Sequence, residues 1–310
     1  MKPFRFGLSA WSAVSRSEWT DKARKAEDLG YFAFTVPDHL ARIFAPVPAL
    51  MTAAAATSRL RVGTNVLNND LRHPVLVARE LATAGLLTDG RLQIGLGAGH
   101  MKSEYDQAGL RFDGGGVRVE RLAEAVTIVE RLLKGEEVTF AGGCYQVHAH
   151  RIHPLPVQRP HPPILIGGNG RKLLALAARE ADIVGLSGIT FRSGGVERDL
   201  SGWRAAGVDQ CLQLVREEAG ARYEGLELNV LVQAVVVTDN RRHATAELAT
   251  RWPQLSPADL LESPCVLVGT VDQLVEDLQA RRARWDLSYY VVFEPYMEAL
   301  APVVARLSGR

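Results

Sequence analysis

The sequence predicts one α/β domain, residues 1–310, folded as a (β/α)8 TIM barrel. Short apolar, β-rich runs alternate with longer helical patterns from the first residues onward, and eight such runs can be counted along the chain. Strands that alternate with helices pair in parallel, and a barrel of eight units needs about 250 residues. A doubly wound open sheet is the main alternative, but eight units favour closure.

The first four units are delimited by clear start and stop signals. The helices repeat apolar residues every three or four positions, Gly30 suits a left-handed C-cap, and Pro74 suits a first helical turn. Strands are predicted at residues 4–9, 32–36, 60–66 and 92–96, and helices at 17–29, 47–57, 74–87 and 117–133.

The later units follow the same rhythm with two interruptions. Strands are predicted at residues 163–166, 183–186, 228–237 and 289–293, with a helix ending near Ala178 and a terminal helix at 299–307. Residues 137–152 form two β-like runs around two glycines, which predicts an inserted hairpin after the fourth helix. Residues 187–206 predict a long loop after the sixth strand. Either a lid over substrate or a flexible surface excursion fits that loop.

Composition limits the possible partners. The formal net charge is +1, which argues against a nucleic-acid or acidic-membrane partner and favours a small-molecule substrate. The three cysteines are far apart, an odd number that makes a disulfide framework unexpected. We find no signal peptide and no apolar run of membrane-spanning length, so we expect a cytoplasmic protein.

The strongest local motif is the run 164–172, a strand that ends in glycines before a helix. Free backbone N–H groups at a helix N-terminus bind phosphate, and Gly167, Gly168 and Gly170 would let the backbone approach it closely. A glycine turn needed only to enter the helix explains the same residues, because short glycine motifs have many false positives.

Other candidate site residues follow the second, third and fourth strands. Asp38 and His39 lie where barrel catalytic residues belong, although taken alone this pair is more often a helix-capping Asp beside an incidental His. Residues 63–69 are small and polar, which suits a bulge against a planar ligand or an ordinary turn. Residues 97–99 leave room for a ligand at the fourth strand. His100 follows them, and residues 102–105 are expected on the same rim.

A metal site is not predicted. His148, His150 and His153 alternate as on a strand, but no cysteine or acidic partner completes a zinc site near them. We find no nucleophile elbow, P-loop or paired-carboxylate motif. Trp11 is expected to pack at the barrel mouth.

In their joint order, these segments resemble the bacterial luciferase-like monooxygenase superfamily, and most of all its branch that uses the deazaflavin coenzyme F420. The matching pieces are Asp38-His39, residues 63–66, residues 72–74, residues 95–99, residues 101–105, residues 160–170 and residues 266–270. They span nearly the whole chain, and the resemblance strengthens the phosphate interpretation.

The resemblance implies a role for each matching residue. Asn65-Val66 corresponds to a non-proline cis peptide that supports the cofactor ring, and Ala98 and Gly99 flank the ring or side chain. Asp38 and His39 lie near the redox carbon. The phosphate loop comprises Gly167, Gly168, Asn169 and Gly170, with Arg171 or Lys172 adding charge.

One departure from the family changes the expected substrate. A related sugar-phosphate dehydrogenase carries a catalytic Glu just after the fourth-strand glycines, where this chain has His100, so a glucose-6-phosphate-type reaction is not expected. We hypothesise that His39 or His100 donates a proton beside hydride transfer.

The resemblance leaves three functions open. The first is an F420-dependent oxidoreductase acting on a C=C, C=N or alcohol/carbonyl group, and the second is an FMN-dependent monooxygenase. The third is a non-catalytic flavin-binding protein. The resemblance also implies a homodimer, with the Ala-rich second helix as its contact.

Overall fold

The computed structural model describes residues 1–192 and 197–310. In chain order its strands are β1 (Arg5–Ser9), β2 (Ala33–Val36), β3 (Arg61–Thr64), β4 (Leu67–Asn68), β5 (Leu92–Gly97), β6 (Val138–Ala141), β7 (Gln146–His150), β8 (Ile164–Gly168), β9 (Ile183–Leu186), β10 (Thr190–Arg192), β11 (Glu197–Asp199), β12 (Glu227–Val232), β13 (Ala234–Val237), β14 (Val266–Gly269) and β15 (Leu287–Phe293). The helices are α1 (Arg16–Asp28), α2 (Pro46–Ala55), α3 (Pro74–Leu87), α4 (Lys102–Ala108), α5 (Gly115–Leu133), α6 (Arg171–Glu180), α7 (Ala205–Ala219), α8 (Arg241–Arg251), α9 (Pro257–Glu262), α10 (Val271–Trp285) and α11 (Met297–Leu307).

Eight parallel strands close into the predicted barrel. Around the barrel the order is β1, β2, β3, β5, β8, β9, β12 and β15. The last strand, β15, pairs with β1 over the whole length of β1. The β3–β5 pairing, with Val62 opposite Leu92, completes the ring. The closed barrel confirms the predicted fold class. Because the strands are parallel, the eight loops that follow them meet at one end of the barrel.

The strands are buried on both sides, which explains their nearly continuous apolar sequences. Outward-facing side chains such as Phe34, Ile94 and Ile166 belong to the large core between the strands and the helices. A smaller cluster is separate from that core and comprises Ala33, Leu165, Ile183, Tyr289 and Val291.

Two predicted strands are wrong in their extent. The strand predicted at residues 60–66 ends at Thr64, the Asn65–Val66 peptide is cis, and pairing with β5 resumes at Leu67. The strand predicted at 228–237 divides at Gln233, where the chain leaves the barrel and β13 pairs in parallel with β14. Periodicity did not reveal this division because both halves are apolar and buried.

The two predicted interruptions have different outcomes. The hairpin predicted at residues 137–152 is confirmed as the antiparallel pair β6–β7. The region predicted as a loop at 187–206 instead contains the antiparallel ribbon β10–β11 and a 3-10 turn, Ser201–Trp203, whose Trp203 is buried. The part of that prediction on residues 193–196 lies outside the described residues.

The helix ends that the sequence predicted agree with those of the structure to within two residues. The helix predicted at 74–87 is α3 itself, and Gly30 follows α1 with a φ of 83°. The sequence did not delimit α4 or α7 to α10. Across residues 1–192 and 197–310, every helix is too short or too polar to cross a membrane.

Candidate active site

A cavity of about 830 Å³ opens at the end of the barrel where the strands terminate. Residues at or just beyond the ends of all eight barrel strands line it, from Ser9 and Trp11 after β1 to Phe293 at the end of β15. The structure brings together in this cavity every site residue predicted from the sequence, namely Asp38, His39, Asn65, Val66, Ala98, Gly99, His100, Gly167, Gly168, Asn169 and Gly170.

The cis Asn65–Val66 segment forms one wall against glycine backbones. A Cβ added to Gly97 would lie 2.5 Å from Val66 Cγ2, and one added to Gly95 would lie 2.1 Å from the Thr64 carbonyl oxygen. Only glycine therefore lets the neighbouring strands approach Val66 so closely. Asn65 Nδ2 is buried without a hydrogen-bond partner in the described chain. This wall offers a ligand an apolar surface and one unused amide donor.

A second wall is the loop that joins β8 to α6. Gly168 has a φ of 152°, which disfavours any side chain, and Gly170 caps α6 without a side-chain hydrogen bond. Lys172 lies on the first turn of α6, and its Nζ is 3.3 Å from Oε1 of Glu120. The first N–H groups of α6, next to two cationic residues, suit an anionic group such as phosphate.

Asp38 is buried and already bound by protein groups. It forms an ion pair with Arg72 and accepts a hydrogen bond from the Asn68 N–H at 3.0 Å. A carboxylate held by these two contacts positions the chain after β2. A direct catalytic role for Asp38 stays a prediction, and its contacts favour positioning.

His39 pairs with a carboxylate from α4, the helix that follows β5. Its Nδ1 lies 3.1 and 3.2 Å from the two oxygens of Glu104, a residue that is 6% exposed. A carboxylate at Nδ1 fixes that nitrogen as the donor, which leaves Nε2 for a ligand. The His39 side chain remains 31% exposed, so a bound molecule can reach it.

His100 contacts His39 but has a different electrostatic environment. The two rings meet edge to face at 5.3 Å, and His100 stacks on Phe191 at 4.2 Å. Burial lowers the pKa of His100 to about 4, helped by the positive charges of His39, Arg198 and Arg118. At neutral pH His100 is therefore an uncharged imidazole, and His39 is the better of the two candidate proton donors.

Several lining residues were not singled out from the sequence. Arg118 donates to the Ala98 carbonyl at 3.1 Å, Asn229 lies within β12, and Gln233 follows the end of that strand. The residues after β12 and β15 could have been proposed from position alone once the strands were counted. Of the predicted rim residues, Glu104 lines the cavity, whereas Tyr105 is buried and its hydroxyl bonds to Asn68.

The described ranges, 1–192 and 197–310, contain no group of three or more His, Cys, Asp or Glu side chains that could hold a metal ion. The polar groups that line the cavity include the imidazoles of His39 and His100, amides, guanidiniums and two carboxylates that other side chains already contact.

This chain is similar to a known protein family in sequence and to solved structures in fold. A family model described as luciferase-like monooxygenase matches residues 3–286. The solved F420-dependent tetrahydromethanopterin reductase from Methanopyrus kandleri has a TM-score of 0.78 at 16% identity, over 99% of this chain and 100% of that one. At this identity the likeness supports the barrel fold alone.

Curated relatives include two kinds of enzyme. An F420-dependent glucose-6-phosphate dehydrogenase of Nakamurella multipartita is 30% identical over 92% of this chain and 84% of its own length. One of the same name from Microbacterium testaceum is 35% identical, over 58% of this chain and 55% of that relative's length. A 4-hydroxyprotoasukamycin monooxygenase of Streptomyces nodosus subsp. asukaensis is 26% identical over 87% of this chain and 76% of its own length.

Proposed function

Because this chain belongs to the luciferase-like monooxygenase family, we propose that it is an oxidoreductase that transfers a hydride between the deazaflavin coenzyme F420 and a small organic substrate. The reacting group would be C=C, C=N or an alcohol/carbonyl. The observation that carries the proposal is the convergence, in one cavity, of the glycine-backed Val66 wall, the α6 phosphate loop and the His39–Glu104 pair. The Nakamurella relative supports the choice of coenzyme.

The residues of the cavity fit the coenzyme. The Val66 wall and its unpartnered Asn65 amide suit a planar heterocycle that carries hydrogen-bond acceptors, and Gly168 to Gly170 suit its phosphate. When bound, the reduced coenzyme supplies the hydride. The protein excludes water, orients the substrate against the ring and manages one proton.

His39 would carry that proton. Its Nδ1 is held by Glu104, so Nε2 gives a proton to the substrate atom that becomes basic as the hydride arrives, and takes one in the reverse reaction. The Glu104 carboxylate would stabilise the charged imidazole. His100 stays neutral beside it and can offer only a hydrogen bond.

Equilibrium binding of F420 and of FMN, each oxidised and reduced, tests the cofactor assignment. We expect a clear preference for the deazaflavin, followed by its oxidation when unsaturated, imine and carbonyl compounds are screened. The His39→Ala variant should bind F420 normally but lose turnover. Protein that binds neither coenzyme would refute the proposal, as would full turnover by both His39→Ala and His100→Ala.

An FMN-dependent monooxygenase is the second candidate. It is favoured by the Streptomyces relative, whose similarity covers most of this chain. The Val66 wall and the phosphate loop serve either coenzyme. Preferential binding of reduced FMN with substrate-dependent oxygen consumption would replace our first proposal with this one.

We further propose a homodimer formed through a groove of about 640 Å³ along α2 and α3. Leu76 and Leu87 of this groove are 60% and 68% exposed. Arg79 and Glu80 also line it, and neither has an ion-pair partner within 4.0 Å in the described chain. Adjacent opposite charges on an apolar face suit a second copy related by a twofold axis, because Arg79 of one copy then faces Glu80 of the other.

A further inference from the structure

The ribbon β10–β11 places one arginine inside the cavity and another outside it. Phe191 and Arg198 are direct partners across the ribbon, and such partners lie on the same face. Phe191 stacks on His100 at 4.2 Å, so this face points into the cavity, and Arg198 lines the cavity as expected. Arg192 lies on the opposite face, where it pairs with Asp199 at 2.6 Å.

Arg198 forms no ion pair with the residues that the structure describes. No carboxylate of the described chain lies within 4.0 Å of its guanidinium, unlike that of Arg192. The two carboxylates that line the cavity, Asp38 and Glu104, are already bound by Arg72 and His39. This end of the cavity therefore carries an excess of positive charge beside a neutral His100.

The surrounding walls are apolar and flat. Trp11 packs against Phe293 with ring centroids 5.4 Å apart, and the Phe191–His100 stack is a second aromatic surface. Leu231 and Ile189 add aliphatic surface to the lining of the same cavity. Aromatic walls favour planar ligands through stacking and burial, and a nearby guanidinium favours a carboxylate on such a ligand.

We propose that Arg198 binds a carboxylate of the substrate, and that the substrates are planar unsaturated or aromatic carboxylic acids. The inference rests on the proposed function, since it names the substrate class of the same cavity. It assigns Arg198 to specificity, while His39 and Glu104 serve the chemistry.

The test compares matched acids and amides on the coenzyme-loaded protein. The affinities of cinnamate against cinnamamide, and of 2-naphthoate against 2-naphthamide, are measured by calorimetry. We expect the wild type to favour each acid by about tenfold or more, as a charge-assisted hydrogen bond predicts. Arg198→Gln should lose this preference by binding the acids more weakly and the amides unchanged. Arg192→Gln removes a positive charge from the outer face of the same ribbon and should behave as wild type.

Three outcomes would overturn the inference. They are a wild type that binds acids and amides alike or binds neither, an Arg198→Gln variant that keeps the preference, and an Arg192→Gln variant that loses it equally. Coenzyme affinity is measured separately for each protein. If Arg198→Gln alone loses coenzyme affinity, Arg198 binds the coenzyme and not the substrate, and our inference is wrong. If the wild type binds no coenzyme, the proposed function fails, and the acid–amide comparison on the protein alone still decides the role of Arg198.

Discussion

In the proposed reaction Glu104 would act through His39, which makes it a positioning residue. Glu104→Gln keeps the shape of the side chain but removes the charge that stabilises protonated His39. We expect kcat to fall about 10- to 100-fold, as for other residues that orient a catalytic imidazole, with KM and F420 affinity nearly unchanged. Steady-state kinetics and coenzyme titration measure the two effects separately.

Asp106→Asn is the matched control for Glu104→Gln. It removes a carboxylate from the same helix, α4, at an exposed position paired with Lys102. An unchanged kcat is expected for it. A Glu104→Gln variant with wild-type kcat would contradict the role that we assign to the pair.

Gly97 is the residue at which a single methyl group should damage the coenzyme wall. The Cβ of Gly97→Ala would meet Val66 Cγ2 at 2.5 Å, so Val66 must move towards the space assigned to the ring. Overpacking of this kind costs about 1–3 kcal/mol, so we expect F420 affinity to fall about tenfold or more. Gly114→Ala, where a Cβ meets nothing within 4 Å, should leave affinity unchanged. Equal affinities for the two variants would contradict a close approach of the ring to Val66.

At the scale of elements, α5 is tied to the segment that enters β8 by a pH-dependent contact. His161 Nε2 lies 3.4 Å from Glu130 of α5, and this contact, together with the ion pair between Glu130 and Lys134 at 2.7 Å, lowers the pKa of Glu130 to about 2. Burial opposes the charge of His161, but the contacts with Glu130 and with the Pro162 carbonyl outweigh it and raise the pKa of His161. The stability contributed by the pair is therefore fully present only between the unfolded pKa of Glu, about 4.5, and that of His, about 6.5.

The stability contributed by this contact should follow the charge. Because the pKa of Glu130 is lowered, its contribution is lost as pH falls from about 4.5 towards 2. Because the pKa of His161 is raised, its contribution is lost as pH rises from about 6.5 through the raised, folded value. We expect Glu130→Gln to lower the free energy of unfolding by about 1 kcal/mol near pH 5.5 and by less at pH 9. Urea denaturation at both pH values measures this.

Glu136→Gln supplies the comparison for Glu130→Gln. Glu136 pairs with Arg131 on the exposed end of the same helix, where an ion pair contributes little. A change of a few tenths of a kcal/mol at either pH is expected for this control. A Glu130→Gln effect that is as large at pH 9 as at pH 5.5 would rule out the charged contact as its source.

At the scale of the whole molecule, the groove along α2 and α3 predicts the oligomeric state. Leu76→Glu places a charge in the groove, where the twofold axis would bring two such charges together, so we expect dimers to dissociate. Sedimentation velocity over a concentration series measures this. Val14→Glu adds the same charge at a site that is 96% exposed and should leave the dimer intact. A wild-type protein that is monomeric throughout would refute the groove as a dimer contact.

The agreement between sequence and structure is best where the pattern is local. The apolar runs, the helical repeats and Gly30 depend on neighbouring residues, and they predicted the eight barrel units. Since the carboxyl ends of parallel strands share one end of a barrel, strand order was enough to bring Asp38, Asn65, His100 and Gly168 to a common cavity. The cis peptide at Asn65-Val66 was implied by the family resemblance and is present.

Several features that the sequence did not predict are contacts between segments that lie far apart in the chain. The division of the predicted strand at Gln233 depends on β14, which follows β13 some 30 residues later and adds a parallel pair outside the barrel. The pairing of His39 with Glu104 joins residues 65 positions apart. Whether Arg198 faces the cavity depends on the register of the short β10–β11 ribbon. The composition of this region had predicted a loop.

From local patterns alone, the eight barrel strands, about half of the helices and the end of the barrel where the candidate site residues lie could be predicted, because backbone propensity, periodicity and strand direction are properties of short segments. The folded structure was needed to show that His39 is the imidazole that meets a carboxylate and that His100 is the imidazole kept neutral by burial. It was also needed to show that Arg198 is the arginine that faces the cavity. Those properties depend on distances between segments far apart in the chain, and these distances are fixed only when the barrel closes and its loops pack together.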